Sequence, residues 1–154
     1  MMAIAKAPLN PSPAEAEFFP EEASKSPRIN REEPVVFSHL GRLRVQETER
    51  VSALKTELKK CGAYVVEHGD TLEVFRSQLH GAEIETYNDH RMAMCFAILG
   101  LKVPGIKIKN PSCVKKTFPN FFQKLAAPPP HGLGVAILDG VTGRRLLQDE
   151  LFAV

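Results

Sequence analysis

Residues 92 to 99 read Met-Ala-Met-Cys-Phe-Ala-Ile-Leu, an apolar run closed by Gly100 and preceded by Asn88-Asp89-His90-Arg91. Glycine commonly ends a helix, and Asn88 or Asp89 is suited to cap its start, so the run predicts a helix. A helix that is apolar all round is buried, and any fold for this chain must enclose it. Its first turn then opens inside a cleft. The free backbone N–H groups there, the positive end of the helix dipole and Arg91 together attract an anion. The expectation is a pocket for phosphate or carboxylate.

The segments around this helix predict alternating strands and helices. Val35-Val36-Phe37 and Leu43-Arg44-Val45 look like strand material around a turn at Gly41. Val51, Leu54, Leu58 and Cys61 fall at helical spacing, which puts Lys55, Glu57, Lys59 and Lys60 mostly on the wet side, and Gly62 ends that helix. Tyr64-Val65-Val66 and Leu72-Glu73-Val74-Phe75 flank His68-Gly69-Asp70 as a hairpin. Ala82-Glu83-Ile84-Glu85-Thr86 and Ile106-Lys107-Ile108 are short strands, and Phe118, Phe121, Phe122 and Leu125 form the apolar face of a last helix. The order implies an α/β fold, with helices on one side of a mixed sheet.

Both ends differ in composition. Residues 1–33 carry Pro8, Pro11, Pro13, Pro20 and Pro27 among Glu, Ser and Ala, the composition of a disordered leader. Residues 128–154 begin with Pro128-Pro129-Pro130, expected as a stiff extended linker, and continue into a tail hairpin turning near Asp139-Gly140. Residues 34–127 between them are the expected folded domain.

The net charge of +2 on 154 residues is too small to argue for nucleic acid or membrane binding, and no apolar run is long enough to span a bilayer. Cys61, Cys95 and Cys113 are far apart, with no C-x-x-C spacing and no clustered His/Cys set, so no metal site is expected. Such thiols suit a reducing cytosol better than a disulfide scaffold, and the expected location is cytoplasmic.

Two further segments stand beside Tyr87-Asn88-Asp89-His90-Arg91-Met92. They are Leu43-Arg44-Val45-Gln46-Glu47-Thr48-Glu49-Arg50 and Asn110-Pro111-Ser112-Cys113-Val114-Lys115-Lys116-Thr117-Phe118-Pro119. In this order and at these separations, the three resemble the C-terminal end of the 5-enolpyruvylshikimate-3-phosphate (EPSP) synthase family, from about Leu40 to about Leu125. The resemblance implies part of an enolpyruvyl transferase domain, a mixed sheet with helices built from βαβαββ-type repeat units. Members of this family have two similar domains with the active site between them, so this chain supplies only part of one.

The implied reaction is transfer of the enolpyruvyl group of phosphoenolpyruvate to the 5-hydroxyl of shikimate 3-phosphate, with release of phosphate, in chorismate biosynthesis. By this resemblance Arg50 and Arg91 clamp the phosphoenolpyruvate carboxylate, and planar guanidinium groups suit that task. Lys116 matches a lysine on its phosphate. Glu47 matches a glutamate placed for proton transfer, and His90 a histidine lining the same pocket that orients partners. Gln46 stands where the family most often has a lysine reaching toward shikimate 3-phosphate, with Arg42 nearby as a replacement charge. No metal or organic cofactor is implied. On the residues alone, Glu47 and Arg50 also fit a surface helix pair, and Lys115-Lys116 a solvated pair. The expected partners are the two small-molecule substrates and either the missing N-terminal domain or a second copy of this chain. The alternative is a catalytically inactive remnant, or a module that binds only anions or a partner.

Overall fold

In the computed structural model, which describes residues 1–5 and 33–153, two sheets share the strands. Strand β1 (Met2–Ala5) comes first, followed by β2 (Val35–Phe37), a four-residue helix α1 (Gly41–Arg44) and helix α2 (Arg50–Lys60). Strands β3 (Tyr64–His68) and β4 (Thr71–Phe75) form the hairpin, and β5 (Glu83–Ile84) leads into helix α3 (His90–Leu99). Strand β6 (Lys107–Ile108), a 3-10 helix (Pro111–Lys116), helix α4 (Phe121–Ala126) and strand β7 (Ala136–Asp139) complete the order. The α/β class and the mixed sheet are as the sequence predicts. Among the described residues no helix is long and apolar enough to cross a membrane.

The smaller sheet, in the order β2-β4-β3, is antiparallel throughout, with Val65 opposite Val74 and Val35 on its far side. Strand β2 lies at its edge with Val35, Val36 and Phe37 all exposed. Helix α2 covers one face through a small core of Val51, Ala63, Val65 and Leu72. Its start is capped by the Glu49 side chain, which accepts from the Ser52 N–H at 2.7 Å. Its end turns at Gly62, whose φ of +87° is cheap only without a Cβ.

The larger sheet runs β5-β6-β1-β7. Strands β5 and β6 are parallel, pairing Ile84 with Ile108, as a helical crossover through α3 requires. The pairs β6–β1 and β1–β7 are antiparallel. Ile84, Ile106, Ile108 and Ile137 meet Met92, Ala93 and Phe96 of α3 and Phe121, Phe122 and Leu125 of α4 in the main core. A fully buried phenylalanine such as Phe96 or Phe122 contributes roughly 1.5–3 kcal/mol by leaving water.

Four expectations need correction. Residues 2–5, within the segment read as a disordered leader, form a central strand; residues 6–32 lie outside the described residues. Leu43-Arg44-Val45 is not a strand: Leu43 N–H bonds back to the Leu40 carbonyl at 2.8 Å, and Gly41–Arg44 winds into a helical turn. Pro128-Pro129-Pro130 is no extended linker, because Gly132, Leu133 and Val135 N–H groups return to the carbonyls of Pro128 and Leu125. Helix α3 is not enclosed on all sides, since Cys95 and Ile98 are exposed. The tail does turn after Asp139, whose N–H bonds to the Arg144 carbonyl at 2.8 Å.

Candidate anion site at the start of helix α3

Asp89 organises the site. It is fully buried, in extended conformation, and its Oδ1 accepts from the Arg91 N–H at 2.8 Å, capping α3. Its Oδ2 accepts from Arg50 Nε at 2.6 Å, and Arg50, the first residue of α2, is only 5% exposed. Burial pushes the Asp89 carboxyl up, but the hydrogen bonds from Arg50 and the Arg91 N–H prevail and hold it below its ordinary value. This pair locks the start of α2 to the start of α3. Arg50 Nη1 also donates to the Gln46 Oε1.

Around this pair stand the other residues that the resemblance singles out. Glu47 Oε2 lies 3.4 Å from Lys116 Nζ and 3.4 Å from His90 Nδ1. His90 is 5% exposed, yet its Nδ1 makes no hydrogen bond; the Glu47 oxygen is near it but poorly aligned. Lys116 Nζ, at the end of the 3-10 helix, also donates to the Asn88 carbonyl at 3.0 Å. Arg91 is exposed, and its guanidinium has no ion-pair partner among the described residues. It lines a shallow cavity of about 390 Å³ together with His90, Met94, Cys95 and Thr117. Glu47, Arg50, His90, Arg91 and Lys116 thus come together, with Gln46 at the margin on Arg50. Arg42, exposed one turn of chain away, forms no part of this group.

Glu47, Asp89 and His90 offer three ligand atoms within 4.8 Å of one another. Asp89 is already engaged by Arg50 and a backbone N–H, and Glu47 faces Lys116. A metal ion there would have to displace two fixed cations, so the arrangement favours an anion.

The residues before the helix are strained. Tyr87 and Asn88 have φ of +54° and +53°, two successive left-handed residues without a glycine, each costing about 1–3 kcal/mol. Tyr87 OH donates to Glu57 Oε1 at 2.8 Å, and Asn110 Nδ2, itself on a left-handed residue, donates to Asn88 Oδ1 at 3.2 Å. Burial first, and then the Glu57 carboxylate, push the Tyr87 phenol up to about 12.

Two clusters escaped the sequence reading. Glu57 was assigned to the wet side of α2 but is fully buried, accepting from Lys60 Nζ, Tyr87 OH and the Glu85 N–H. Its place in the stripe Arg50, Ala53, Glu57, Cys61 was the available clue. Arg44, in a segment that alternates like a strand, ties α1 to the start of α2 through Glu49 at 2.8 Å, and to the hairpin through Glu67 at 2.7 Å, Asp70 at 2.9 Å and the Gly69 carbonyl. These hydrogen bonds, those to Glu67 and Asp70 above all, push the Arg44 guanidinium further up.

Comparison with known proteins bears on the same stretch. A family model described as EPSP synthase (3-phosphoshikimate 1-carboxyvinyltransferase) matches residues 32–125. The 3-phosphoshikimate 1-carboxyvinyltransferase of Nostoc punctiforme is 48% identical over 91 residues, 59% of this chain and 21% of the relative. That of Proteus mirabilis is 54% identical over 85 residues, 54% of this chain and 20% of the relative. Among solved structures, EPSP synthase from Acinetobacter baumannii superposes with a TM-score of 0.58 at 29% identity, covering 70% of this chain and 26% of that one. The chain therefore spans about a fifth of the length of the curated relatives it matches. The matched stretch takes in more than half of the chain and the whole group from Gln46 to Lys116, and on that match the chain belongs to the EPSP synthase family.

Proposed function

We propose that this chain binds phosphoenolpyruvate and, as part of a larger assembly, takes part in enolpyruvyl transfer to the 5-hydroxyl of shikimate 3-phosphate. The observation that carries this reading is that Arg91, without an ion-pair partner among the described residues, shares the open first turn of a ten-residue helix with the Arg50–Asp89 lock, while Lys116 reaches the Asn88 carbonyl just before it. Arg91 and Arg50 hold the carboxylate and Lys116 the phosphate, each bond charge-assisted and partly shielded from water. Arg50 is available only through its outer face, because Asp89 holds its Nε. Gln46, by accepting from Arg50, lies at the edge where the second substrate enters.

The chemistry then needs two proton movements. The 5-hydroxyl oxygen bonds to the central carbon of phosphoenolpyruvate while the methylene carbon gains a proton and the hydroxyl loses one. In the second step the carbon–oxygen bond to phosphate breaks and the new methyl group loses a proton, restoring the double bond. Glu47 is the group for transfer at the methylene carbon, and His90, whose Nδ1 lies 3.4 Å from Glu47 Oε2 with its hydrogen-bonding capacity unused, lines the same pocket and is free to orient a bound partner. Arg50, Arg91 and Lys116 neutralise the departing phosphate and the carboxylate.

The remainder of such an assembly has a place to dock. Leu54, Leu58, Cys95, Phe96, Ile98 and Leu99 line an apolar groove of about 310 Å³ between α2 and α3. Its proposed occupant is the part of a carboxyvinyltransferase that this chain does not span. The cytoplasm is the proposed location, since three widely spaced free thiols suit a reducing compartment better than a disulfide scaffold does.

The first test is calorimetric titration of the chain with phosphoenolpyruvate. Binding is expected, and Arg91→Ala should weaken it about 10- to 100-fold, the worth of one charge-assisted contact. Equal affinity in the variant removes this reading. The chain alone should release no phosphate from the two substrates, because half of a positioning clamp does not orient them. An anion-binding module without catalysis is the second reading, favoured by the poor alignment of the Glu47 carboxylate with His90 Nδ1 at 3.4 Å. It predicts phosphoenolpyruvate binding but no turnover even when the remaining portion of a relative is supplied.

A further inference from the structure

The anion site depends on Tyr87 and Asn88, which lead into its helix cap; asparagine tolerates the left-handed conformation, but a tyrosine beside it does not adopt one without help. The help comes from two directions. On the outer side, the Asn88 carbonyl accepts from Lys116 Nζ at 3.0 Å and its side chain accepts from Asn110 at 3.2 Å. On the inner side, one carboxylate on another helix holds both the Glu85 N–H at 3.1 Å and the Tyr87 hydroxyl at 2.8 Å. That carboxylate is Glu57, and it touches none of Glu47, Arg50, His90, Arg91 or Lys116.

We infer that Glu57 is a positioning residue of the anion site. Through Tyr87 it keeps the left-handed turn that points the Asn88 carbonyl at Lys116 and starts α3 in register with Asp89. This rests on the reading that Arg91 and Lys116 hold phosphoenolpyruvate. Simple packing of α2 against the strand before α3 would not require a charge, since a well-packed apolar side chain does that at least as well as a buried ion pair. Glu57 instead has its acceptor positions filled by Lys60 at 2.8 Å to each oxygen, by the Glu85 N–H and by Tyr87. A residue that answers a backbone N–H on one side of Thr86 and a hydroxyl on the other fixes the path of the peptide between them. Lys116 makes the consequence reach the ligand. Its ammonium bridges the Asn88 carbonyl and Glu47, so a turn that relaxes takes one of its two anchors away.

The test uses the full 154-residue chain with Tyr87→Phe, which deletes one hydroxyl, with Glu57→Leu, and with Glu57→Leu/Tyr87→Phe, which replaces both partners by apolar groups. Three readouts are taken: thermal midpoint, phosphoenolpyruvate affinity, and the amide chemical shifts of Asn88 and Arg91 without ligand. Tyr87→Phe is expected to move the midpoint by less than about 4 °C while weakening phosphoenolpyruvate about 3- to 10-fold. The Asn88 and Arg91 amides should shift in both variants, and the double variant should recover stability relative to Glu57→Leu without recovering affinity. Unchanged amide shifts and affinity in Tyr87→Phe overturn the inference. So does an affinity that returns with stability in the double variant, because the role is then only structural. If the unmodified chain binds no phosphoenolpyruvate, the functional reading fails. The positioning role then stands or falls on the ligand-free amide shifts.

Discussion

Asp89 ties two helices together with one side chain. It caps α3, and it neutralises a buried arginine from another helix, two tasks that one carboxylate manages because each oxygen has its own donor. Removing it leaves Arg50 buried and unpaired, so Asp89→Ala should cost about 3–5 kcal/mol in urea denaturation. Its titration makes a separate prediction. The folded-state carboxyl lies below its ordinary value of 3.8, so its contribution is complete above the unfolded pKa and is lost as pH falls through the folded one. As pH falls below about 4 the unmodified chain should therefore lose stability more steeply than Asp89→Asn. Parallel stability curves over that window would show that the Arg50–Asp89 bond is not the source. The same residue also marks what sequence reading could reach. A cap at Asn88 or Asp89 was legible from local chemistry, but its second bond, to a residue 39 positions away, was not.

At the scale of elements, local patterning succeeded where segments were long enough to carry a period. Helix α2 and the β3–β4 hairpin stand where apolar spacing and turn residues put them, and Gly62 and Gly100 end their helices. Gly62 is also a sharp test of the α2 terminus. A Cβ there would meet His80 Cδ2 at 3.0 Å and the Gln78 carbonyl at 3.1 Å, on a backbone at φ +87°. Gly62→Ala should destabilise the chain by about 1–2 kcal/mol, read as a shift in denaturation midpoint. A neutral result would mean that the helix can end elsewhere. Short segments were less legible. Leu43-Arg44-Val45 alternates like a strand, but three residues cannot separate two periods, and the fan of bonds from Arg44 to the hairpin decides the helical turn. Glu57 misled for another reason: composition placed it with the lysines, while packing placed it with Tyr87.

For the molecule as a whole, the sheet and the groove matter most. Two of the four strands in the larger sheet, β1 and β7, lie outside the stretch matched to the family. Strand β1 covers β6, whose edge would otherwise be open to pairing with other chains, and β7 in turn pairs with β1. Among the described residues nothing covers the groove between α2 and α3, and Ile98 remains 50% exposed beside Cys95. Alone in solution the chain should therefore self-associate, seen by light scattering as a mass above that of a monomer, and Ile98→Lys should reduce it. Adding the portion of a relative that this chain does not span should replace those self-contacts by a one-to-one complex. A chain that stays monomeric and ignores that portion would remove the docking proposal.

The sequence by itself determined the helices of long period, the caps, the glycine stops and the cationic opening of α3. These are local properties, set by residues within one or two turns of each other. Tertiary structure alone decided which face of α3 stays uncovered and that Glu57 is buried beneath Tyr87. It also decided that Lys116 reaches Glu47, 69 residues earlier, and the Asn88 carbonyl, 28 residues earlier. The physical reason is that burial and hydrogen-bond partnership between distant segments depend on how elements stack, and stacking is settled by the shared core of Ile84, Ile108, Phe96 and Phe122 rather than by any one segment's own pattern.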